Sequence, residues 1–146
     1  MRRRAFVTAA ATMVSGPILG GRPPRRAWRL HQGNLFGVHV MAVTLKPGAT
    51  MAGFKAFFLR RVLPEYEKAW VGLHAYLVQS VRGEFKNRLA VVWLFESEAV
   101  RNRYFDSVGR ANALETAARE RVRPVEEALE RLGTYTLDYK DDWLVR

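Results

Sequence analysis

Two of the three histidines lie in runs that alternate as strands do. His39 stands in Val38-His39-Val40-Met41-Ala42, and His74 in Leu73-His74-Ala75-Tyr76-Leu77. A histidine titrates near neutrality and can serve as base, acid or ligand, so His39 and His74 are the candidate catalytic pair. Strand alternation puts Met41 on the side of His39 and Tyr76 on the side of His74, and Trp93 shares its side with Phe95. Met41, Tyr76, Trp93 and Phe95 are therefore the candidate lining of a pocket for a flat apolar ligand. A second reading stays open beside this one, in which both histidines are only hydrogen-bonded interior groups and the aromatic residues only core. His31 falls in a linker.

Other chemistries find little support. The chain has no cysteine, hence no disulfide, thiolate metal site or cysteine nucleophile. Two histidines without a neighbouring acid or cysteine fall short of a closed zinc set, so no metal site is expected. Glu126-Glu127 and Asp141-Asp142 are carboxylates paired by sequence alone and read as solvated surface. Arg119, Arg121 and Arg123 read as a solvated helix face. No glycine-rich phosphate loop and no G-x-S-x-G elbow occurs, and no motif specifies a cofactor.

The elements that must carry these residues follow from periodicity. Leu89–Phe95 is seven apolar residues in a row, a strand buried on both faces and therefore central. Val38–Leu45 is the first strand, closed by Lys46-Pro47-Gly48. From Met51 the period becomes helical, with Phe54, Phe57, Phe58, Val62 and Tyr66 on one stripe, and Pro64 is expected to kink or end that helix near Leu63. Gly72–Val81 is the second strand, and a polar turn at Arg82–Asn87 joins it to the third as a hairpin. Ser97 suits the N-cap of a short helix over Glu98–Asp106. A long helix follows with Leu114, Ala118, Val122, Val125, Leu129 and Leu132 as its apolar stripe, bent at Pro124 and closed by Gly133. Thr134–Lys140 is the last strand, and Trp143 in the tail is expected to tuck against the domain.

The order β-α-β-β-α-β specifies an α+β, ferredoxin-like antiparallel sheet with its helices on one face. The simpler faces (Val38/Val40/Ala42, Leu73/Ala75/Leu77, Ala90/Val92/Leu94) are expected under the helices. The opposite faces, with His39, Met41, His74, Tyr76, Trp93 and Phe95, are expected to share one cavity.

The formal charge of +10 comes from 24 basic and 14 acidic residues. Six of the basic ones lie in the first 26 positions, which hold no acid, so the remainder is 18 against 14. The basicity belongs mainly to this leader, and nucleic-acid binding loses its main support. Arg3-Arg4-Ala5-Phe6-Val7 before a short apolar stretch resembles a twin-arginine export signal. It implies a periplasmic or other extracytoplasmic location, with membrane attachment only if the leader stays uncleaved. Residues 1–33 are thus read as export signal and linker, and 34–146 as the domain.

Thr44-Leu45-Lys46-Pro47-Gly48 running into a phenylalanine-rich helix, and Val91-Val92-Trp93-Leu94-Phe95-Glu96-Ser97 with Arg101 four residues on, resemble the NIPSNAP branch of the dimeric α/β-barrel superfamily. The likeness spans roughly Val38–Tyr139. It implies a homodimer whose sheets face each other across a barrel-like interior, without implying one chemistry. The first strand lacks the Glu and Arg common in that branch. Haem-degrading relatives combine an Asn, a Trp and a helix-borne His; Trp93 matches the Trp, but no histidine follows His74. The function expected is an exported homodimer that binds, and on the catalytic reading transforms, a small apolar or aromatic molecule in its interior. The alternative is a non-catalytic interaction or scaffold module of the same fold.

Overall fold

A computed structural model describes residues 30–146, apart from the Tyr139 side chain. The twin-arginine match at Arg3-Arg4 and most of the linker lie outside the described residues. Strands β1 (Leu35–Leu45), β2 (Leu73–Gln79), β3 (Leu89–Phe95) and β4 (Gly133–Leu144) form one antiparallel sheet in the order β2-β3-β1-β4. With the helices packed on one face, this is the ferredoxin-like arrangement. β3 has a neighbour on each side, as its unbroken apolar run requires.

The first helical segment begins at α1 (Met51–Phe57), where the Thr50 hydroxyl accepts from the Gly53 N–H at 3.0 Å. It widens into a π-helical turn over Phe58–Val62 and continues as α2 (Leu63–Ala69). Of the two outcomes expected at Pro64, a kink or an end near Leu63, the end does not occur, and the helix continues as α2 behind the π-helical turn. The Leu63 N–H reaches back to the Phe58 carbonyl, and this wider turn lets the chain pass a residue that has no N–H. Phe54, Phe58, Val62 and Tyr66 from this segment are buried.

The helix expected over Glu98–Asp106 is shorter, α3 (Glu98–Arg101), and the chain then turns through a bridge between Phe105 and Ala111. Farther on, the Asp106 carboxylate accepts from the N–H groups of Val108 and Arg110 and closes a local turn. Asn112 caps α4 (Ala113–Glu130), its Oδ1 accepting from Leu114 and Glu115 N–H at 2.9 and 3.2 Å. Leu114 is 58% exposed and its neighbour Glu115 only 1%, so the stripe begins one residue off its sequence reading. β4 runs through the tail to Leu144, and Trp143, paired with Phe36, is 50% exposed rather than tucked in.

The sheet faces differ from the expected ones. The core under the helices joins Met41, Leu73, Ala75, Leu89 and Val91 to Phe54, Phe58, Tyr66 and Val122, with Trp93, Phe95, Tyr135 and Leu137 against it. The β2 assignment holds, but β1 and β3 turn their larger side chains to the helices. Leu73, Ala75 and Leu77 stand opposite Phe95, Trp93 and Val91, and Val91 stands opposite His39. The gap between sheet and helices takes the bulk of Met41 and Trp93, while Val40, Ala42 and Ala90 make the flatter opposite face.

Candidate functional site

Across the sheet, one row of paired residues reads Ala75, Trp93, Gly37, Asp142, and the next reads Leu77, Val91, His39, Lys140. Side chains directly opposite on neighbouring strands share a face, so Trp93, His39 and Asp142 all point to the helix side. Gly37 leaves its place in the row vacant. A Cβ there would lie 2.5 Å from Asp142 Oδ1 and 3.4 Å from His39 Nε2, so the glycine gives room for these two groups to meet.

The Trp93 indole N–H donates to His39 Nδ1 at 2.9 Å, with the rings edge-on at 6.0 Å. An indole nitrogen only donates, so Nδ1 is the acceptor and this network assigns the ring hydrogen to Nε2. His39 Nε2 faces Asp142 Oδ1 at 3.9 Å, with the His39 side chain 22% and the Asp142 side chain 55% exposed. The facing His39 ring holds the Asp142 carboxyl below the usual carboxylate range, against the upward push of partial burial and with help from Arg101. The site thus sets an N–H donor beside an ionised acceptor, the pattern that a single hydroxyl group satisfies from both sides.

Asp142 reaches this face through an irregularity in β4. Met41 pairs with Leu137, whereas Val40 pairs with Tyr139, so Asp138 is an extra residue. Uninterrupted alternation from Tyr135 and Leu137 would bring Asp141 to the helix side instead.

Behind Trp93 lies a polar seam. The Tyr66 ring is 5.2 Å from that of Trp93 and 5.5 Å from that of Trp70. The Tyr66 hydroxyl donates to the Glu126 carboxylate of α4 and also contacts the Tyr135 hydroxyl. Burial, reinforced by Tyr135 and Glu126, pushes the Tyr66 phenol far above its ordinary value, and burial also raises Tyr135. Glu115 is held by an ion pair to Arg119 one turn on.

The six residues expected to share a cavity are therefore divided. His39, Met41, Trp93 and Phe95 face the helices; His74 and Tyr76 lie on the other side of the sheet. The expectation placed β1 and β3 by side-chain complexity, and a one-residue difference in parity moves a whole strand's set to the opposite face. Met41 is 1% exposed, a core side chain. His74 sits between two carboxylates, Nδ1 4.0 Å from Glu67 Oε1 and Nε2 3.9 Å from Glu96 Oε1, with Glu67 also accepting from the Ala75 N–H on the outer edge of β2. Tyr76 is 38% exposed. Among the described residues no group of three or more His, Cys, Asp or Glu is placed to hold a metal. A shallow groove of about 280 Å³ opens near the β2–β3 hairpin, lined by Met41, Met51, Gln79 and Arg88 among others, apart from His39.

Sequence reading gave no role to Gly37 or Tyr135, placed Tyr66 only on the apolar stripe of its helix, and assigned Glu126 and Asp142 to solvated surface. The one available signal was Gly37 two residues before His39 in a strand, since an interior strand glycine marks a close approach.

The class that fold and site define is a ferredoxin-like α+β domain with a histidine–carboxylate pair on its helix-covered face. No family model and no curated protein matches the chain in sequence. Among solved structures it is similar to SnoaB, a cofactor-independent oxygenase from Streptomyces nogalater. The identity is 16% and the TM-score 0.42, over 78% of this chain and 94% of that one.

Proposed function

We propose that the protein binds a small aromatic molecule bearing a hydroxyl group on the helix side of the sheet, and that this hydroxyl donates a hydrogen bond to the Asp142 carboxylate. The observation that carries this reading is the 3.9 Å separation of His39 Nε2 and Asp142 Oδ1 beside the Trp93 indole. A hydroxyl between them accepts from Nε2–H and donates to the carboxylate, which the depressed Asp142 titration keeps ionised and therefore an acceptor. Trp93 fixes the histidine tautomer from the far side, and its ring, backed by the buried Tyr66, supplies the aromatic wall.

The test is a matched pair of probes. 2-Naphthol is expected to bind the full chain more tightly than naphthalene, and Asp142→Ala should abolish the difference while leaving naphthalene binding unchanged. Equal binding of the two probes, or a preference that survives in Asp142→Ala, refutes the reading.

A non-catalytic module of the same fold rests on a different observation. Tyr76 and Val78, at 38% and 39% exposed, and Trp143 lie on the side of the sheet away from the helices. We infer that a second copy covers that face, as the NIPSNAP-like residues around Pro47 and Trp93 imply for a dimeric α/β barrel, and that both readings hold within a homodimer. Trp93 itself takes no part in that interface, because the helices cover it. Val78→Glu should convert dimer to monomer in sedimentation, and an unchanged sedimentation coefficient refutes that interface. Export through the twin-arginine match is part of the same proposal. Replacing Arg3 and Arg4 with Lys should retain the protein in the cytoplasm, and unchanged export removes it.

A further inference from the structure

The extra residue that turns Asp142 toward His39 is held by a specific set of contacts. Arg88 precedes β3 and reaches across β1. Its Nε donates to the Met41 carbonyl at 3.3 Å, at the point where the β1–β4 register breaks, and its Nη2 pairs with Asp138 Oδ2 at 2.5 Å. Asp138 Oδ1 accepts from the Thr136 hydroxyl at 2.8 Å. The Arg88 guanidinium also lies 5.8 Å from the centroid of the Phe85 ring, which limits its swing. Arg88 thus holds both strands of the bulge at once, the carbonyl of β1 and the side chain of the inserted residue.

We infer that Arg88 and Asp138 are positioning residues for the Asp142–His39 pair. They fix the bulge at Asp138, and the bulge decides which of two adjacent carboxylates faces the histidine. With Asp138 drawn into regular pairing opposite Val40, Tyr139 would stand opposite His39, and Asp141 rather than Asp142 opposite Gly37. The adjacency of Asp141 and Asp142 then acquires a meaning that sequence alone did not give it. A slip of one residue exchanges one carboxylate for the other, together with their neighbours. This inference deepens the proposed reading of Asp142 and rests on it for its functional consequence, but its test reads the placement of Asp142 through its titration, without a ligand.

The experiment follows the Asp142 carboxyl carbon through a pH titration by NMR on the full chain, together with the Trp93 indole N–H. In the wild type Asp142 should titrate below the ordinary carboxylate range. Arg88→Ala should return it to that range, because the bulge loses its anchor. Deleting Asp138 from the Arg88→Ala chain should lower the Asp142 titration again. Without the extra residue, Leu137 and Tyr139 follow each other in a regular ladder that still presents residues 140 and 142 to the helix side. If Arg88→Ala does not fold, Asp138→Asn, which keeps the shape and removes the ion pair, should raise the Asp142 titration in the same direction. A folded Arg88→Ala or Asp138→Asn chain whose Asp142 titrates as in the wild type overturns the inference, as does a deletion chain that fails to recover. Recovery of the titration without recovery of 2-naphthol preference would instead uphold the positioning role and refute the proposed function.

Discussion

Gly37→Ala tests the cross-strand row directly. Ordinary contact to a Cβ begins at 3.4 Å, and the new methyl would stand 2.5 Å from Asp142 Oδ1, so the carboxylate must retreat by about 0.9 Å or more. His39 Nε2, at 3.4 Å from the same point, need not move. Gly37 has no left-handed backbone conformation to relieve, so its cost lies only in space. The Asp142 side chain is 55% exposed and free to turn outward, at a rotamer cost of about 0.5–1.5 kcal/mol. Replacing a strand glycine by alanine lowers the entropy of the unfolded chain and returns about 0.4–1 kcal/mol. The two terms nearly cancel, and global stability should stay within about 1 kcal/mol of wild type.

The geometry should nevertheless change. His39 depresses the Asp142 titration, so a retreating carboxylate should titrate in the ordinary range while the Trp93–His39 hydrogen bond persists. The sign in acid follows from linkage. A carboxyl depressed in the folded state adds stability that is complete above its unfolded value and is lost as pH falls through the folded value. In Gly37→Ala the acid-side fall in stability contributed by Asp142 should therefore shrink. Carboxyl NMR titration and urea unfolding at several pH values measure both effects. A folded Gly37→Ala protein whose Asp142 still titrates low would show that the vacancy at Gly37 does not set the Asp142–His39 contact. A loss of several kcal/mol would show that Asp142 is not free to turn away.

Tyr66→Phe removes a hydrogen bond to a carboxylate and should cost about 1.5–3 kcal/mol in urea unfolding. Because the folded state holds a phenol proton that the unfolded chain releases, wild-type stability should fall as pH rises past about 10, and less steeply in the variant; equal slopes would refute the assigned role of Tyr66. Arg119→Ala leaves the 1%-exposed Glu115 without its ion-pair partner and should cost about 2–3 kcal/mol. Adding Glu115→Gln should recover part of that loss, and a loss confined to a few tenths of a kcal/mol would mean Glu115 is satisfied elsewhere.

What could be read in the sequence was what depends on local periodicity. The unbroken apolar run of Leu89–Phe95 placed β3 inside the sheet. Ser97 is a cap as expected, its hydroxyl accepting from the Val100 N–H at 3.2 Å. What could not be read was the relation between strands. Alternation sorts His39 from Val40 and Trp93 from Val92, but only the register says which set of one strand shares a face with which set of another. Bulk was a poor guide, because the helix–sheet gap must be filled and Met41 and Trp93 fill it. Asp142 was harder still, since one inserted residue in β4 reverses the parity of every position after Asp138.

The polar seam favours the helix side over the open side of the sheet as the place for chemistry. Tyr66 is 4% and Glu115 1% exposed, and Tyr66 meets Tyr135 and the Glu126 carboxylate within a helix–sheet interface that apolar residues would fill at lower desolvation cost. Their hydrogen bonds and ion pair offset that cost without making the seam a better core than a hydrocarbon one. From Glu126 the contacts lead to the Tyr66 ring, then to the Trp93 indole and through its N–H to His39, which faces Asp142 at the partly exposed edge. Glu126, Tyr66 and Trp93 therefore form a packed backing for His39. A histidine held so on one side, with its Nε2–H left to face a carboxylate across 3.9 Å, is placed to receive a hydroxyl group on the other.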